Sequence, residues 1–453
     1  MTGDELDAIA SWLDEMLPSL MARERVPGAV IGVLQGDRLV TAAAGVLNLR
    51  TRHKVTEDSV FQVGSITKTW TATLVMQLVD AGLVGLDDPV RRHLPEFRVS
   101  DAASSAQITV RHLLSHTAGF DGELFDETTG DHVLEHYLRE VLPGAPRLFA
   151  PGRMFSYCNG GYSVLGRLLE RLRGMRYAQV VHQYLAEPLG LGSVAASAEA
   201  AITMPVAAGH VGTDPVPSPR WSLPASLDPA GCLAMPVGDL LRFAQMHLNG
   251  GTTTDGRRIL SPDAGIAMRT AQTEEPAAVT AFAAPGLGWF LLRGFDGVIG
   301  ADGGTIGQRA FLRLIPERRT AVAVLTNAGS GEQLIGPVFS GLFDRLGGLG
   351  RAPARPSPAA PAPEPSRVVG RYESGAGTFI VESADDGLCL RSTPGAADVL
   401  CDTSPPSGIL TPAGAGFDIT ESGGEIVGQC AFIMDGDRAE LLHINGQAVP
   451  RAD

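Results

Sequence analysis

Apolar and acidic positions alternate at helical spacing over residues 4–22, which predicts an amphipathic first helix. The period then changes. VPGAVIGVLQGDRLVTAAAGVLN (26–48) has strand-like apolar runs on either side of Gln35-Gly36-Asp37, so it predicts a β-hairpin turning there. Helical spacing returns from Ser65 to about Ala81, closed by Gly82. From about 90 to 250 the pattern is of loops and helices, among them YSVLGRLLERLRG and GDLLRFAQMHLNG. Strand patterns resume at GLGWFLL, RAFLRLIP and TAVAVLTN, the last two joined by a turn over Pro316–Arg319. Strands at both ends of a helical middle predict an α+β fold, with one antiparallel sheet assembled from both chain ends and helices packed against it.

The stretch APARPSPAAPAPEP, Ala352 to Pro365, cannot pack as helix or strand and reads as an extended spacer. It divides the chain into a body over 1–350, a linker over 351–366 and a tail over 367–453. In the tail RYES, TFIVES, GLCLRS, AFIMD and AELLHI are split by Gly and Asp, which predicts a small antiparallel barrel or sandwich.

At 453 residues, 44% hydrophobic and 19% charged, the chain has the composition of a folded protein of more than one domain. A net charge of −14 argues against nucleic-acid and acidic-membrane partners. The acidic start, MTGDELDAIASWLDEML, is unlike a signal peptide or an anchor, so the expected location is the cytoplasm. The five cysteines (158, 232, 389, 401, 430) contain no Cys-x-x-Cys pair and are expected to be reduced thiols. The ten histidines show no ligand spacing, so no metal is expected.

Charge chemistry changes the picture at one point. Of 36 basic residues only two, Lys54 and Lys68, are lysines. Lysine can lose its proton near neutral pH and arginine cannot. Lys68 lies one helical turn after Ser65, so its amine can reach the hydroxyl and make it a nucleophile. The bland alternative is a capping serine beside a solvated lysine. Two further segments carry chemistry. Tyr157 and Asn159, in FSYCNGGYSVLG, offer a phenol to relay protons and an amide to orient a substrate, with Cys158 between them facing the other way as a core thiol. The run IGADGGTIGQRAFLRL (299–314) is a glycine-rich strand edge whose backbone N–H groups can approach a carbonyl, or else a plain tight turn.

In this order the three segments resemble the penicillin-recognising serine enzymes: class C β-lactamases, D,D-carboxypeptidases, related esterases and D-aminopeptidases. SHTAGF (115–120), LDDPV (86–90) and PAGCLAMPVGDLLRFAQMHL (229–248) extend the resemblance over residues 1–350. No Gly-x-Ser-x-Gly elbow points to the α/β-hydrolase alternative. The resemblance implies a β-lactamase/transpeptidase-like domain, an antiparallel sheet with helices on both faces plus a helical subdomain, that needs no cofactor. It implies Ser65 as nucleophile, Lys68 as its base, Tyr157 as proton relay, Asn159 as substrate-positioning amide, and the N–H groups of Ser65 and Gly304 as oxyanion hole. The third motif of this family, Lys or His-x-Gly, falls on Ala301-Asp302-Gly303. Alanine can supply neither charge nor a hydrogen bond, so either the protein manages without that group or a natural histidine has been replaced. Ala301, Asp302, Gly303 and Thr305 are the implied substrate-binding positions. Arg371 and Arg451, flanking the tail, are candidate carboxylate readers.

With its tail read as a lipocalin-like barrel, the chain is most similar to stand-alone thioesterases of the penicillin-binding type. These release a nonribosomal peptide from its carrier at a D-configured residue and let the peptide's own amine close the ring. The implied partner is a peptidyl thioester, held on a peptidyl carrier protein; the oligomeric state is left open. A second reading is a cytoplasmic D-stereospecific peptidase, amidase or esterase, and a third a binding protein whose site has decayed. If the protein is an enzyme of either kind, Ala301→His is expected to raise the rate of acyl transfer, read as thiol release from an acyl thioester; an unchanged rate would show that this position contributes nothing.

Overall fold

The apolar run 26–48 forms the expected hairpin: Gly28–Gln35 pairs with Arg38–Gly45, with Gln35 opposite Arg38. The turn is made by Gly36 at φ +59°, a backbone conformation that costs glycine little. In this computed structural model, which describes residues 3–274, 280–346, 363–384, 387–401, 403–414 and 416–452, the hairpin is one side of an antiparallel sheet. Among the described residues that sheet has seven strands, ordered Arg38–Gly45, Gly28–Gln35, Thr320–Thr326, Gln308–Ile315, Ile299–Thr305, Phe290–Leu292 and Phe282–Pro285. The N-terminal strands therefore meet the C-terminal ones directly, Val30 lying opposite Leu325. Pro316–Arg318 forms a 3₁₀ turn that Arg319, at φ +46°, closes.

Alternation along the strands sends side chains to two cores. Ala29, Ile31, Val33, Val322 and Val324 face the helices Gly3–Arg23 and Ile335–Arg345. Val30, Leu34, Ala323 and Leu325 face the helical middle of the chain. Helices thus cover both faces, as the resemblance implies. The helix expected from Ser65 to about Ala81 departs from its pattern in two ways. It begins at Thr67, after a 3₁₀ turn over Gly64–Ile66, and runs to Asp80. It is also buried on nearly every side, from Thr67 through Met76, because it lies between the sheet and the helical middle. Its threonines are polar side chains on buried faces. They are satisfied internally: Thr69 Oγ1 donates to Ile66 O (2.8 Å), Thr71 Oγ1 to Pro229 O (2.7 Å) and Thr73 Oγ1 to Thr69 O (2.7 Å). Trp70 stacks on Phe243, ring centroids 4.3 Å apart, tying this helix to Val237–Leu248.

The tail forms an eight-stranded antiparallel sheet in which each strand pairs with the next. A bridge between Tyr372 and Arg451 brings the first and last strands together, so the barrel is nearly closed around Tyr372, Phe379, Leu390, Ile419 and Leu442. The strands Gly408–Ala413, Gly416–Thr420 and Gln447–Pro450 were not legible in the sequence. They are short, broken by Pro or Gly, and their register is set by neighbouring strands rather than by their own alternation. Most of the Pro/Ala linker lies outside the described residues. No helix among those described is long and apolar enough to cross a membrane.

One packing contact carries through to the site. Helix Asn159–Arg173 crosses the segment Asp228–Gly231 at Gly166, where a Cβ would lie 2.1 Å from Pro229 Cγ and 2.7 Å from its Cβ. Neither ring atom can move aside cheaply. Gly166→Ala is expected to destabilise the protein by about 1–3 kcal/mol, read as a lower midpoint of chemical denaturation. It should also depress activity, because Pro229 precedes the carbonyl that holds Lys68.

Candidate active site

Ser65 is placed by two glycines. The short strand Phe61–Gln62 pairs with Ala234–Met235, and the chain then turns at Gly64, φ +52°. The turn presses against the strand Ile299–Thr305. A Cβ on Gly64 would sit 2.7 Å from Gly304 N, and one on Gly303 would sit 1.9 Å from Val63 O and 2.8 Å from Ser65 N. Only two bare backbones can approach so closely. The result sets the N–H-bearing backbones of Ser65 and Gly304 side by side at the mouth of the Lys68 helix.

The Ser65 hydroxyl sits between two proton carriers. Lys68 Nζ is 3.0 Å from Ser65 Oγ, and Tyr157 OH is 2.7 Å from the same oxygen. Lys68 also donates to Ala230 O at 2.8 Å and lies over the Tyr157 ring, 4.8 Å from its centroid. Burial brings the lysine down to about 7, against the opposing pull of Glu123. Burial pushes the Tyr157 phenol the other way, well above its usual range. Near neutral pH a free amine can therefore take the serine proton while the phenol keeps its own. The Tyr157 ring stacks on His116 at 4.5 Å; burial and the nearby Lys68 keep that imidazole neutral, and its Nδ1 accepts from Cys158 N at 3.0 Å. Cys158 is buried and faces Gly122 and Phe120 O, a core thiol as expected.

Asn159 opens the helix that carries it, and its Nδ2 donates to both carboxylate oxygens of Glu123, at 3.0 and 2.9 Å. Sequence reasoning missed Glu123. It lies in GFDGELFDETT, where four acidic residues give no sign of which one meets Asn159. Burial raises it to about 7.

The tail completes the site. Its helix Ala396–Cys401 lies over the cleft, closing a cavity of about 220 Å³ walled by Ser65, Asn159, Leu223, Leu227, Gly304 and Leu400. The barrel is anchored beside Tyr157: Tyr157 N donates to Gly446 O (2.8 Å), Ala448 N to Ser156 Oγ (3.0 Å), and Arg153 pairs with Glu440 (2.7 Å). Cys401, expected as a plain core thiol, is on this covering helix and lines the cavity; all five cysteines are free.

Several expected site residues are not brought to the cleft. Ala301 is on the same strand face as Gly303, but it is only 2% exposed and packs into the core under the site. Asp302 points the opposite way, because adjacent strand residues face opposite sides, and Arg313 pairs with it bidentately. It cannot stand in for a missing histidine. Thr305 is buried, donating to Gln62 Oε1 at 2.7 Å, so it pins the strand before Ser65 rather than touching the cavity. Arg451 helps close the barrel, donating to Tyr372 OH (3.2 Å) and Val369 O, and Arg371 pairs with Glu373 at 2.8 Å. Neither lines the cavity.

Comparison with known proteins agrees with this architecture. A family model described as Beta-lactamase matches residues 13–335. Penicillin-binding protein 4 of Amycolatopsis lactamdurans is 38% identical over 373 residues, covering 80% of this chain and 97% of that protein. Esterase EstB of Burkholderia gladioli is 35% identical over 208 residues, covering 42% of this chain and 53% of that esterase. Among solved structures SurE with D-Leu superposes with a TM-score of 0.77 at 28% identity, covering 99% of this chain and 100% of that one, tail included.

The geometry makes the lysine's protonation the acid limit on rate. Acylation kcat/KM is expected to rise about tenfold per pH unit up to about 7 and then level off, following the free amine of Lys68. Lys68→Arg should be inactive across that range, since a guanidinium does not deprotonate. Tyr157→Phe should lose about 10²–10⁴-fold. A flat profile, or an active Lys68→Arg, would remove Lys68 as the base.

Proposed function

Because the chain belongs to the β-lactamase family, whose members are serine hydrolases, we propose that it is an acyltransferase working through an acyl–Ser65 ester, and that a peptide amine is its natural acceptor. In the first step Lys68 takes the Ser65 proton and Oγ attacks the carbonyl of a peptidyl thioester. The oxyanion forms against the N–H groups of Ser65 and Gly304. The C–S bond then breaks, and the leaving sulfur receives the proton through Tyr157. In the second step an amine nitrogen forms the new C–N bond, the C–Oγ bond breaks, and Oγ regains its proton. When that amine belongs to the same peptide, the product is a macrolactam.

The observation that carries this reading is the covering helix Ala396–Cys401. It makes the cavity over Ser65 small and largely apolar, with Phe125, Leu223, Leu227 and Leu400 in its walls. A covered acyl ester meets less water and survives longer for an amine. The end-to-end likeness to SurE, seen with D-Leu, supports both the covering tail and a D-configured acyl residue. A carrier protein as the donor of the thioester belongs to the same proposal. The likeness to EstB favours the second reading, in which water captures the same ester. The decayed-binder reading is disfavoured by the assembled Ser65, Lys68 and Tyr157.

Mass spectrometry after mixing the protein with short peptidyl thioesters ending in a D- or an L-residue decides between them. The expected product is the linear acid minus water, from the D-series alone. Linear acid as the sole product would make the protein a hydrolase. No acylation of Ser65 by either series would leave it a binder.

A further inference from the structure

We infer that Glu123 is a positioning residue that fixes Asn159 with its carbonyl oxygen toward the cavity, so that the site reads an N–H donor on the substrate. The inference rests on the acyl-transfer reading above and goes beyond it, to what recognises the substrate.

The placement is forced by packing. Segment 121–123 lies against the start of the Asn159 helix: Gly160 N donates to Gly122 O (2.9 Å), and a Cβ on Gly122 would meet Cys158 Sγ at 2.3 Å and Gly160 N at 3.0 Å. That contact leaves Glu123 only 3% exposed, with Asn159 as its side-chain partner. Glu123 N is itself held by Asp121 Oδ1 at 3.1 Å, and Asp121 Oδ2 accepts from Gly375 N of the barrel at 2.6 Å. The carboxylate therefore cannot swing away.

Above about pH 7, where Glu123 is ionised, its carboxylate has acceptors and no donor. It takes both contacts from Asn159 Nδ2, and Asn159 N approaches Oε1 at 3.4 Å. The amide is thus fixed by chemistry: its NH₂ is committed to Glu123, and Oδ1 has no partner among the described residues. Asn159 is half-buried and lines the cavity, so this oxygen faces open space rather than core. What the cavity presents at this point is an acceptor, and its complement is an N–H. In the acyl-transfer reaction two N–H groups come near Ser65: the backbone amide of the acyl residue and the attacking amine.

Glu123 also sets charge at the site. Asp121, Lys68, Tyr137, Tyr157, Cys158 and Cys401 all interact electrostatically with it. Its negative charge favours the protonated form of Lys68. Removing the charge while keeping an acceptor must therefore free the amine at lower pH.

The test uses the full chain as wild type, Glu123→Gln, Glu123→Leu and Asn159→Ala. Donors are an N-acetyl-D-aminoacyl thioester and its N-methyl counterpart, with and without a primary amine acceptor; thiol release and the ratio of amide to acid are both measured. If the acyl N–H is read, wild type prefers the N–H donor in kcat/KM by about tenfold more than Glu123→Leu or Asn159→Ala does. If the amine is read, those variants instead lower the amide-to-acid ratio by a similar factor. Either result supports the inference. Glu123→Gln should keep the preference, since Oε1 still faces Asn159, while its acid limb moves to lower pH. The inference is overturned if the donor preference and the product ratio are the same in every variant, or if Glu123→Gln leaves the pH limb in place. Glu123→Gln and Asn159→Ala keep the test valid should Glu123→Leu fail to fold. No thiol release by wild type would instead overturn the acyl-transfer reading itself.

Discussion

The buried amine of Lys68 is the constraint on which the rest of the site depends. An ammonium taken out of water must be paired or must give up its charge. Here it meets one hydroxyl and one backbone carbonyl, Ser65 Oγ and Ala230 O, and among the described residues no carboxylate lies within ion-pair distance. The amine therefore sits near the point of losing its proton, which is the state a nucleophile's base requires. Every element that buries it contributes: the threonine-rich helix that carries it, the Asp228–Gly231 segment packed on Gly166, and the tyrosines whose rings cover it. Stability and reactivity are thus coupled, because loosening any of these walls would hydrate the lysine and return it toward its ordinary charge.

The same arrangement explains why the tail is more than an appendage. The barrel holds the backbone leading into Tyr157 and covers the cleft with one short helix. Its grip on residues 155–157 is made of backbone and hydroxyl hydrogen bonds, which fix position more sharply than apolar contact does. The catalytic body and the barrel therefore share the active site, one contributing the reacting groups and the other their cover. The path from Gly375 through Asp121 and Glu123 to Asn159 is a second link of the same kind.

Much of this was legible in residues close in sequence. Ser65 and Lys68 stand one helical turn apart, Tyr157 and Asn159 two residues apart, and the strands 28–35, 308–315 and 320–326 announce themselves by apolar runs and turns. Local spacing settles such features, since the helix or strand period alone decides which side chains share a face. The sequence also marked a change of composition at Ala352–Pro365. What misled was polarity read locally. Asp302, an implied substrate-binding position, is paired with Arg313, and Arg451, a candidate carboxylate reader, helps close the barrel.

Only the tertiary structure decided which of the many acidic residues meets Asn159, which strand face meets the nucleophile, and what covers the cleft. Each of these depends on segments far apart in the chain: Glu123 with Asn159, Gly303 with Val63, and Leu400 beside the same cavity as Leu223. No period or spacing records such pairs, because the free energy that selects them comes from burial and hydrogen bonding realised only when the segments meet. The sequence by itself determined the reacting groups and their local geometry. The fold determined their protonation, the orientation of the amide beside them, and how much water reaches them.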